Sequence, residues 1–185
     1  YGLWLEDQYP KVKAEWQQYL TPHPSGAPET FTWTLPPEAH ANTWIADRVC
    51  RFLEQRTEDA PPFFLHVGFP DPHHPFRAPE PWGRLYRAED VELPSADSEP
   101  LASKPPAYEA FLKGALNAET LGAGDFNTTD LTAVTDAQLR QVTATTLGMI
   151  SFIDSQVGRI LDALDAAGLS EDTIVVYTSD HGDLM

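Results

Sequence analysis

Two apolar runs of β-strand length constrain the fold of this chain more than any other feature of its sequence. The first covers residues 63–69 (FFLHVGF) and the second covers residues 174–177 (IVVY). Nearly continuous runs of β-branched and aromatic residues are typical of strands buried on both faces of a parallel sheet. A helical pattern precedes each run, as in a βαβ crossover. The sequence therefore predicts an α/β fold in which a mainly parallel sheet is flanked by helices.

The helix before the first run is predicted between residues 37 and 56. Its apolar stripe consists of Ile45, Val49, Phe52 and Leu53, and two consecutive prolines at positions 61 and 62 end the pattern. The single cysteine of the chain, Cys50, lies in this helix and cannot form an internal disulfide. We expect it to be a small buried hydrophobe.

The helix before the second run is predicted from about residue 136 to residue 167. Thr135 and Asp136 supply an N-terminal cap, and Gly168 followed by Leu169 predicts a Schellman-type end. The other predicted elements are a short amphipathic helix from Pro10, an edge strand within residues 30–35, a short helix over residues 105–116, and loops over residues 70–106 and 117–134. We predict one domain without internal repeats.

The charge of the chain excludes one class of partner. Its formal net charge is −16, and a nucleic-acid surface requires a net basic face. No apolar run reaches the ~20 residues of a membrane span. Because the chain begins at Tyr1 without Met and stops just after a candidate site, we expect it to be an internal piece of a longer protein. The compartment stays open between cytoplasmic and periplasmic or secreted.

Asp180 and His181 follow the second apolar run directly and are candidate metal ligands. Ligands bind at the carboxyl ends of strands in open α/β sheets, and hard divalent cations prefer carboxylate oxygens while tolerating an imidazole. Gly182 gives the chain the freedom to turn there. The alternative is structural, with Asp180 capping a turn and His181 exposed to solvent.

A second group of polar residues follows the first apolar run and consists of Asp71, His73 and His74. Histidines at a strand's carboxyl end can bind an anionic substrate or protonate a leaving group near neutral pH. Prolines at positions 72 and 75 would hold them stiffly. The alternative is that they are exposed loop histidines. His66, within the run, is expected to be a satisfied core histidine rather than a ligand.

The two polar groups and their surroundings resemble the sulfatase family of the alkaline phosphatase superfamily, in particular its arylsulfatase- and iduronate-sulfatase-like members. The segments that carry the resemblance are TWIADRVCRFLEQR, FFLHVGFPDPHHPFRAPEPW and SFIDSQVGRILDALDAAGLSEDTIVVYTSDHGDLM. It implies a partial alkaline-phosphatase-like fold. It also implies a metal-dependent sulfuric ester hydrolase that acts on a sulfate ester of a small molecule or a glycan.

The resemblance also assigns roles to residues. Asp180 and His181 match one pair of metal ligands, for Ca²⁺ in most members and Mn²⁺ or Mg²⁺ in others. His73 matches the histidine that binds the sulfate beside the leaving group and acts as general acid, and His74 takes the variable position next to it. The nucleophile of the family is a hydrated formylglycine, which attacks sulfur.

Several family features are missing from residues 1–185. The formylglycine precursor motif Cys-x-Pro-x-Arg or Ser-x-Pro-x-Arg does not occur, since Cys50 is followed by Arg51 and Phe52. The first acidic metal pair and the lysine after the Asp-His-Gly motif are also missing. We therefore expect the isolated chain to be inactive and to oligomerise through apolar surface left open by a truncated sheet. Two alternatives stay open: a phosphonate monoester or phosphodiester hydrolase of the same superfamily, and a non-catalytic folding or interaction module.

Overall fold

The computed structural model describes residues 1–14, 20–57, 59–94, 104, 105, 112 and 131–182. Three predicted elements lie largely or wholly outside these residues: the helix over residues 105–116, the loop over residues 117–134, and the part of the first amphipathic helix beyond residue 14. No described helix combines the length and the apolar character that crossing a membrane requires.

Four α-helices and one small sheet form the framework of the described chain. The helices are α1 (Gly2–Gln8), α2 (Pro10–Ala14), α3 (Ala41–Glu54) and α4 (Asp136–Ala166), and the strands are β1 (Leu20–Pro22) and β2 (Phe31–Trp33). Single 3₁₀ turns occur at Pro37–Ala39, Trp82–Arg84, Ala88–Asp90, Leu131–Ala133 and Ser170–Asp172. β1 and β2 pair antiparallel, with Thr21 opposite Thr32. The predicted edge strand is therefore confirmed.

The predicted caps of the long helix α4 are confirmed at both ends. The Thr135 hydroxyl accepts a hydrogen bond from the Gln138 amide, and the Gln138 side chain in turn accepts one from the Thr135 amide, which makes a capping box. At the other end Gly168 has a φ of 69°, and the Leu169 amide donates to the Leu164 carbonyl at 3.1 Å. This is the Schellman arrangement, which requires a left-handed residue after the helix.

Helices α3 and α4 pack against each other and form the main core. Val49 and Leu53 of α3 and Leu164 of α4 are buried there, and Phe63 and Val67 from the segment after α3 pack onto the same cluster. A second cluster, formed by Leu5, Val12, Trp33, Leu35 and Ala39, joins α1, α2 and β2. The predicted apolar stripe of α3 is thus the surface that its neighbours cover.

The described chain does not confirm the mainly parallel sheet, and the two apolar runs predicted as its buried strands are largely exposed. Residues 63–69 form neither a helix nor a strand, and Phe63 and Val67 pack on the α3–α4 core while Phe64 is 95% exposed and His66 is exposed as well. Residues 174–177 also form neither a helix nor a strand, and Ile174 is 93% exposed. Within the described residues β1 and β2 form a two-stranded sheet, and neither run belongs to it. An extended segment becomes a buried strand only where neighbouring strands satisfy its backbone.

Cys50 departs from its predicted burial. It is only partly covered, and its Sγ lies 3.6 Å from the Arg159 carbonyl oxygen across the α3–α4 contact. Partial burial raises the pKa of the Cys50 thiol, so the thiolate is disfavoured. Cys50 contributes packing at the edge of the helix pair rather than in its centre.

The close contact between α4 and the Trp82–Arg84 turn leads to a stability prediction. A Cβ at Gly148 would lie 2.5 Å from the Trp82 carbonyl oxygen, whereas a Cβ at Gly158, in the same helix, meets nothing within 4 Å. We expect Gly148→Ala to lower the free energy of unfolding by about 1–3 kcal/mol, and Gly158→Ala to raise it by up to about 1 kcal/mol through helix propensity. Denaturant titration of both variants measures the difference. Equal stability of the two would contradict this packing.

Candidate functional site

A cavity of about 350 Å³ lies between the N-terminal end of α3, strand β2 and the loop that follows residues 63–69. It brings together two histidines from the loop, one buried histidine, a carboxyl group and a guanidinium. Its walls are formed by Tyr1, Trp33, His40, Ala41, Pro70, Asp71, His73, His74, Pro75 and Arg77. Both histidines that the sequence singled out after the first apolar run therefore line one cavity.

The turn at residues 71–76 carries these histidines and is tied to β2 at its far end. Phe76 forms a parallel bridge with Thr30: the Phe31 amide donates to the Phe76 carbonyl at 2.9 Å, and the Phe76 amide donates to the Glu29 carbonyl at 2.8 Å. These two backbone hydrogen bonds hold the end of the turn against the segment that leads into β2. The turn is thus an extension of the β1–β2 unit.

His73 and His74 are held in defined orientations although both are exposed. The His73 Nδ1 lies 2.7 Å from the His74 carbonyl oxygen. A carbonyl only accepts, so His73 Nδ1 carries the proton and Nε2 is the nitrogen that would meet a ligand. The two rings stack with centroids 4.0 Å apart. His74 Nε2 also lies 3.7 Å from a carboxylate oxygen of Glu29.

A buried polar cluster lies beneath this turn. Asn42 Nδ2 donates to Asp71 Oδ2 at 2.9 Å, and His40 Nε2 lies 3.5 Å from the same oxygen without forming a well-directed hydrogen bond. Burial lowers the pKa of His40 to about 3, helped by the charge of Arg77, so its imidazole is neutral. Burial raises the pKa of Asp71 to about 6 against the opposing effects of Arg77 and the Asn42 hydrogen bond. The cluster keeps a carboxyl group in a largely dry site.

Arg77 and Tyr1 complete the charged surroundings of Asp71. The Arg77 guanidinium lies over the Trp33 ring, 5.6 Å from its centroid, and burial lowers its pKa while Asp71 opposes that shift. The Tyr1 hydroxyl donates to the Ala39 carbonyl, and burial raises its pKa to about 12. Both side chains keep their usual charge near neutral pH. Arg77 is therefore a permanent cation beside the cavity.

Asp180 and His181 lie apart from this cavity and do not line it. Both are exposed, and His181 Nε2 lies 3.7 Å from Asp180 Oδ2. His181 Nδ1 lies 2.9 Å from the Gly182 carbonyl and so carries the proton, which directs the Nε2 lone pair to the Asp180 side. Within the described residues no group of three metal-ligating side chains occurs. Asp180 and His181 are thus two neighbouring side chains of the types that bind divalent cations.

The sequence missed the residues that support the turn. His40, Asn42 and Arg77 carry no motif of their own, and the predicted helix was noted only for its apolar stripe. His40 is the N-cap of α3, but histidine is not among the residue types that mark an N-cap in a sequence. The contact of Asn42 with Asp71, 29 residues further along the chain, is a tertiary feature that no local signal indicates.

The raised pKa of Asp71 predicts how stability changes with pH. In the unfolded chain the Asp71 carboxyl has its ordinary pKa of 3.8, whereas burial in the folded state raises this pKa to about 6. This contribution to stability is present below pH 3.8 and is lost as pH rises to about 6. Relative to Asp71→Asn, which does not titrate, the wild type should lose about 2–3 kcal/mol of unfolding free energy between about pH 4 and pH 7. Urea titrations of both proteins check this, and a pH-independent difference would contradict it.

Comparison with known proteins identifies the family. The chain matches the model of the sulfatase family over residues 3–185. It is 32% identical over 155 residues to the multifunctional alkaline phosphatase superfamily protein PehA of Trinickia caryophylli, covering 80% of this chain and 28% of that protein. It is 34% identical over 136 residues to iduronate 2-sulfatase of Homo sapiens, covering 74% of this chain and 24% of that protein.

A sulfatase of Formosa agariphila is 29% identical over 177 residues, covering 95% of this chain and 29% of that protein. The chain thus spans between 24% and 29% of the length of these three relatives. The family match covers all but the first two residues and confirms the resemblance found in the sequence: the chain belongs to the sulfatase family.

Proposed function

We propose that the full-length protein hydrolyses a sulfate ester and that residues 1–185 contribute the histidine side of its active site. The observation that carries this proposal is the position of His73. Its imidazole lines the cavity, its Nδ1 is engaged by the His74 carbonyl, and its Nε2 is the nitrogen that would meet a substrate. Family membership adds the reaction class.

The role of His73 follows from the chemistry of ester hydrolysis. When the bond between sulfur and the ester oxygen breaks, the departing oxygen gains negative charge and needs a proton. A protonated His73 donates it from Nε2 while Nδ1 stays bound to the His74 carbonyl. The nucleophile, a formylglycine by family resemblance, would come from a part of the full-length protein outside residues 1–185.

Asp180 and His181 fit half of a divalent cation site, with Ca²⁺ favoured and Mn²⁺ or Mg²⁺ as alternatives. One carboxylate and one imidazole are suitable donors, and their 3.7 Å separation is close to the roughly 3.4 Å expected of two neighbouring ligands at right angles on one calcium ion. A bound cation would neutralise charge on the sulfate group. The remaining ligands would come from elsewhere in the full-length protein.

The walls of the cavity suit a neutral or sugar-like alcohol. Trp33 and Tyr1 supply aromatic surface, with prolines at positions 70 and 75, and Asp71 and Arg77 supply polar groups. Aromatic surface with a few polar groups is typical of pockets for small organic ligands. A sulfate ester of a small molecule or a glycan fits this description, and the iduronate 2-sulfatase relative is named for a sugar sulfate.

One relative favours a second candidate function. PehA is named as a multifunctional member of the alkaline phosphatase superfamily, and its identity to this chain is similar to that of iduronate 2-sulfatase. A phosphonate monoester or phosphodiester would use the same histidine and cation. Assays of the full-length protein with an aryl sulfate and with a phenyl phosphonate ester separate the two, and a marked preference for the phosphonate would contradict the sulfatase proposal.

Removing the imidazole of His73 tests its role. In the full-length protein we expect His73→Ala to lower kcat by ~10²-fold or more, because the leaving oxygen loses its proton donor. The matched control is His66→Ala, since His66 is also exposed but does not line the cavity. Equal kcat values for the two variants would contradict a catalytic role of His73.

The metal assignment has a separate test. Calorimetric titration of the full-length protein with Ca²⁺ should show binding that Asp180→Ala abolishes or weakens by at least about tenfold. Asp172→Ala is the control, because Asp172 lies in the turn before the same extended segment and is also exposed. Unchanged binding in Asp180→Ala would favour a non-catalytic module.

A further inference from the structure

Asp71 lies two residues before His73, lines the same cavity and has no role in the reaction proposed above. Its side chain is only 9% exposed, and the Asn42 residue that donates to it is fully buried. Burying a carboxyl group is unfavourable, and the raised pKa of Asp71 reports that cost. A turn that only had to be stable would be better served by an apolar residue or an exposed polar one.

The contacts of Asp71 connect the turn to the N-terminal end of α3. His40 is the N-cap of this helix, and its Nδ1 accepts a hydrogen bond from the Asn42 amide at 3.2 Å. The proton of the neutral imidazole is therefore on Nε2, which is directed to within 3.5 Å of Asp71 Oδ2. Asp71 thus meets two side chains from the first turn of a 14-residue helix.

The turn is consequently tied at both ends. Asp71 holds it to α3 through Asn42, and Phe76 holds it to β2 through the backbone bridge to Thr30. His73 and His74 lie between these two ties. If the Asn42–Asp71 hydrogen bond were lost, the turn would keep only the second of these two ties. That tie is the bridge at Phe76, which follows the histidines in the sequence.

We propose that Asp71 is a positioning residue whose hydrogen bond with Asn42 fixes the turn that places the His73 imidazole in the cavity. The proposal rests on the proposed function only for what His73 does once it is placed. Misplacing a catalytic group by ~1 Å can cost on the order of 10²-fold in rate, so a single side-chain contact two residues away is enough to matter.

An exchange of the two partners tests this contact in the full-length protein. Asn42→Asp places two carboxyl groups in contact, and we expect kcat to fall at least about tenfold with KM within about threefold of wild type. The double variant Asn42→Asp with Asp71→Asn restores an amide-to-carboxylate hydrogen bond in the opposite direction. It should recover kcat to within about threefold of wild type.

Two further variants keep the result interpretable. Asp71→Ala should also lose at least about tenfold in kcat, and it introduces no repulsion that could prevent folding. Asp154→Asn, an exposed position on α4, is the matched control and should retain the wild-type kcat. A double variant no better than Asn42→Asp, or an Asp71→Ala variant with wild-type kcat, would overturn the proposal.

A readout without catalysis separates this proposal from the proposed function. Hydrogen exchange of the His73 amide, which donates to the Pro70 carbonyl, should be at least about tenfold faster in Asn42→Asp and return toward wild type in the double variant. If the wild type hydrolyses neither a sulfate nor a phosphonate ester, the proposed function fails. The hydrogen-exchange comparison remains valid in that case, because it does not depend on activity. Unchanged exchange in Asn42→Asp would overturn the positioning role whatever the activity.

Discussion

The burial of His40 is the constraint on which the candidate site depends. Its ring lies between Trp33 of β2, with centroids 4.7 Å apart, and Phe152 of α4, which meets it edge-on at 4.9 Å. Phe152 in turn contacts Trp82, whose turn lies directly on Gly148. Three parts of the chain thus meet at one neutral imidazole. Because His40 is fixed, the first turn of α3 is fixed, and Asn42 is aimed at Asp71.

The unfavourable burial of polar groups in this structure lies next to His73, the proposed general acid. The α3–α4 core and the β1–β2 unit are held by apolar packing, while the polar cluster between them contains a buried carboxyl group with a raised pKa and a buried histidine with a lowered one. Such perturbed groups gather at functional sites more often than elsewhere. In this chain Asp71 and His40 lie beside the turn that carries His73.

Local signals predicted the two long helices, α3 and α4, and the short strand β2, but neither helix α1 nor the surroundings of the two apolar runs. Thr135, Gln138 and Gly168 fix the ends of α4 through contacts within a few residues, so the sequence alone placed that helix correctly. The strand character of residues 63–69 and 174–177 depends on neighbours in a sheet, and the described residues do not provide them. Family membership still implies the α/β class, and the relatives are about three times as long as this chain.

The candidate site was predictable only in part, for the same reason. His73 and His74 were found because prolines and an apolar run mark them locally, and the cavity confirms that the two lie together. Whether they share one centre with Asp180 and His181 stays a prediction. His40, Asn42 and Arg77 could not be found in this way, since their importance comes from a contact with Asp71 that only the folded chain makes.

The most direct test of this account is a crystal structure of the full-length protein with inorganic sulfate and Ca²⁺. The account predicts a sulfate oxygen within about 3 Å of His73 Nε2, and the calcium ion bound by Asp180 and His181 on the opposite side of the same sulfate. A sulfate bound away from His73, or a calcium ion that contacts neither Asp180 nor His181, would contradict it.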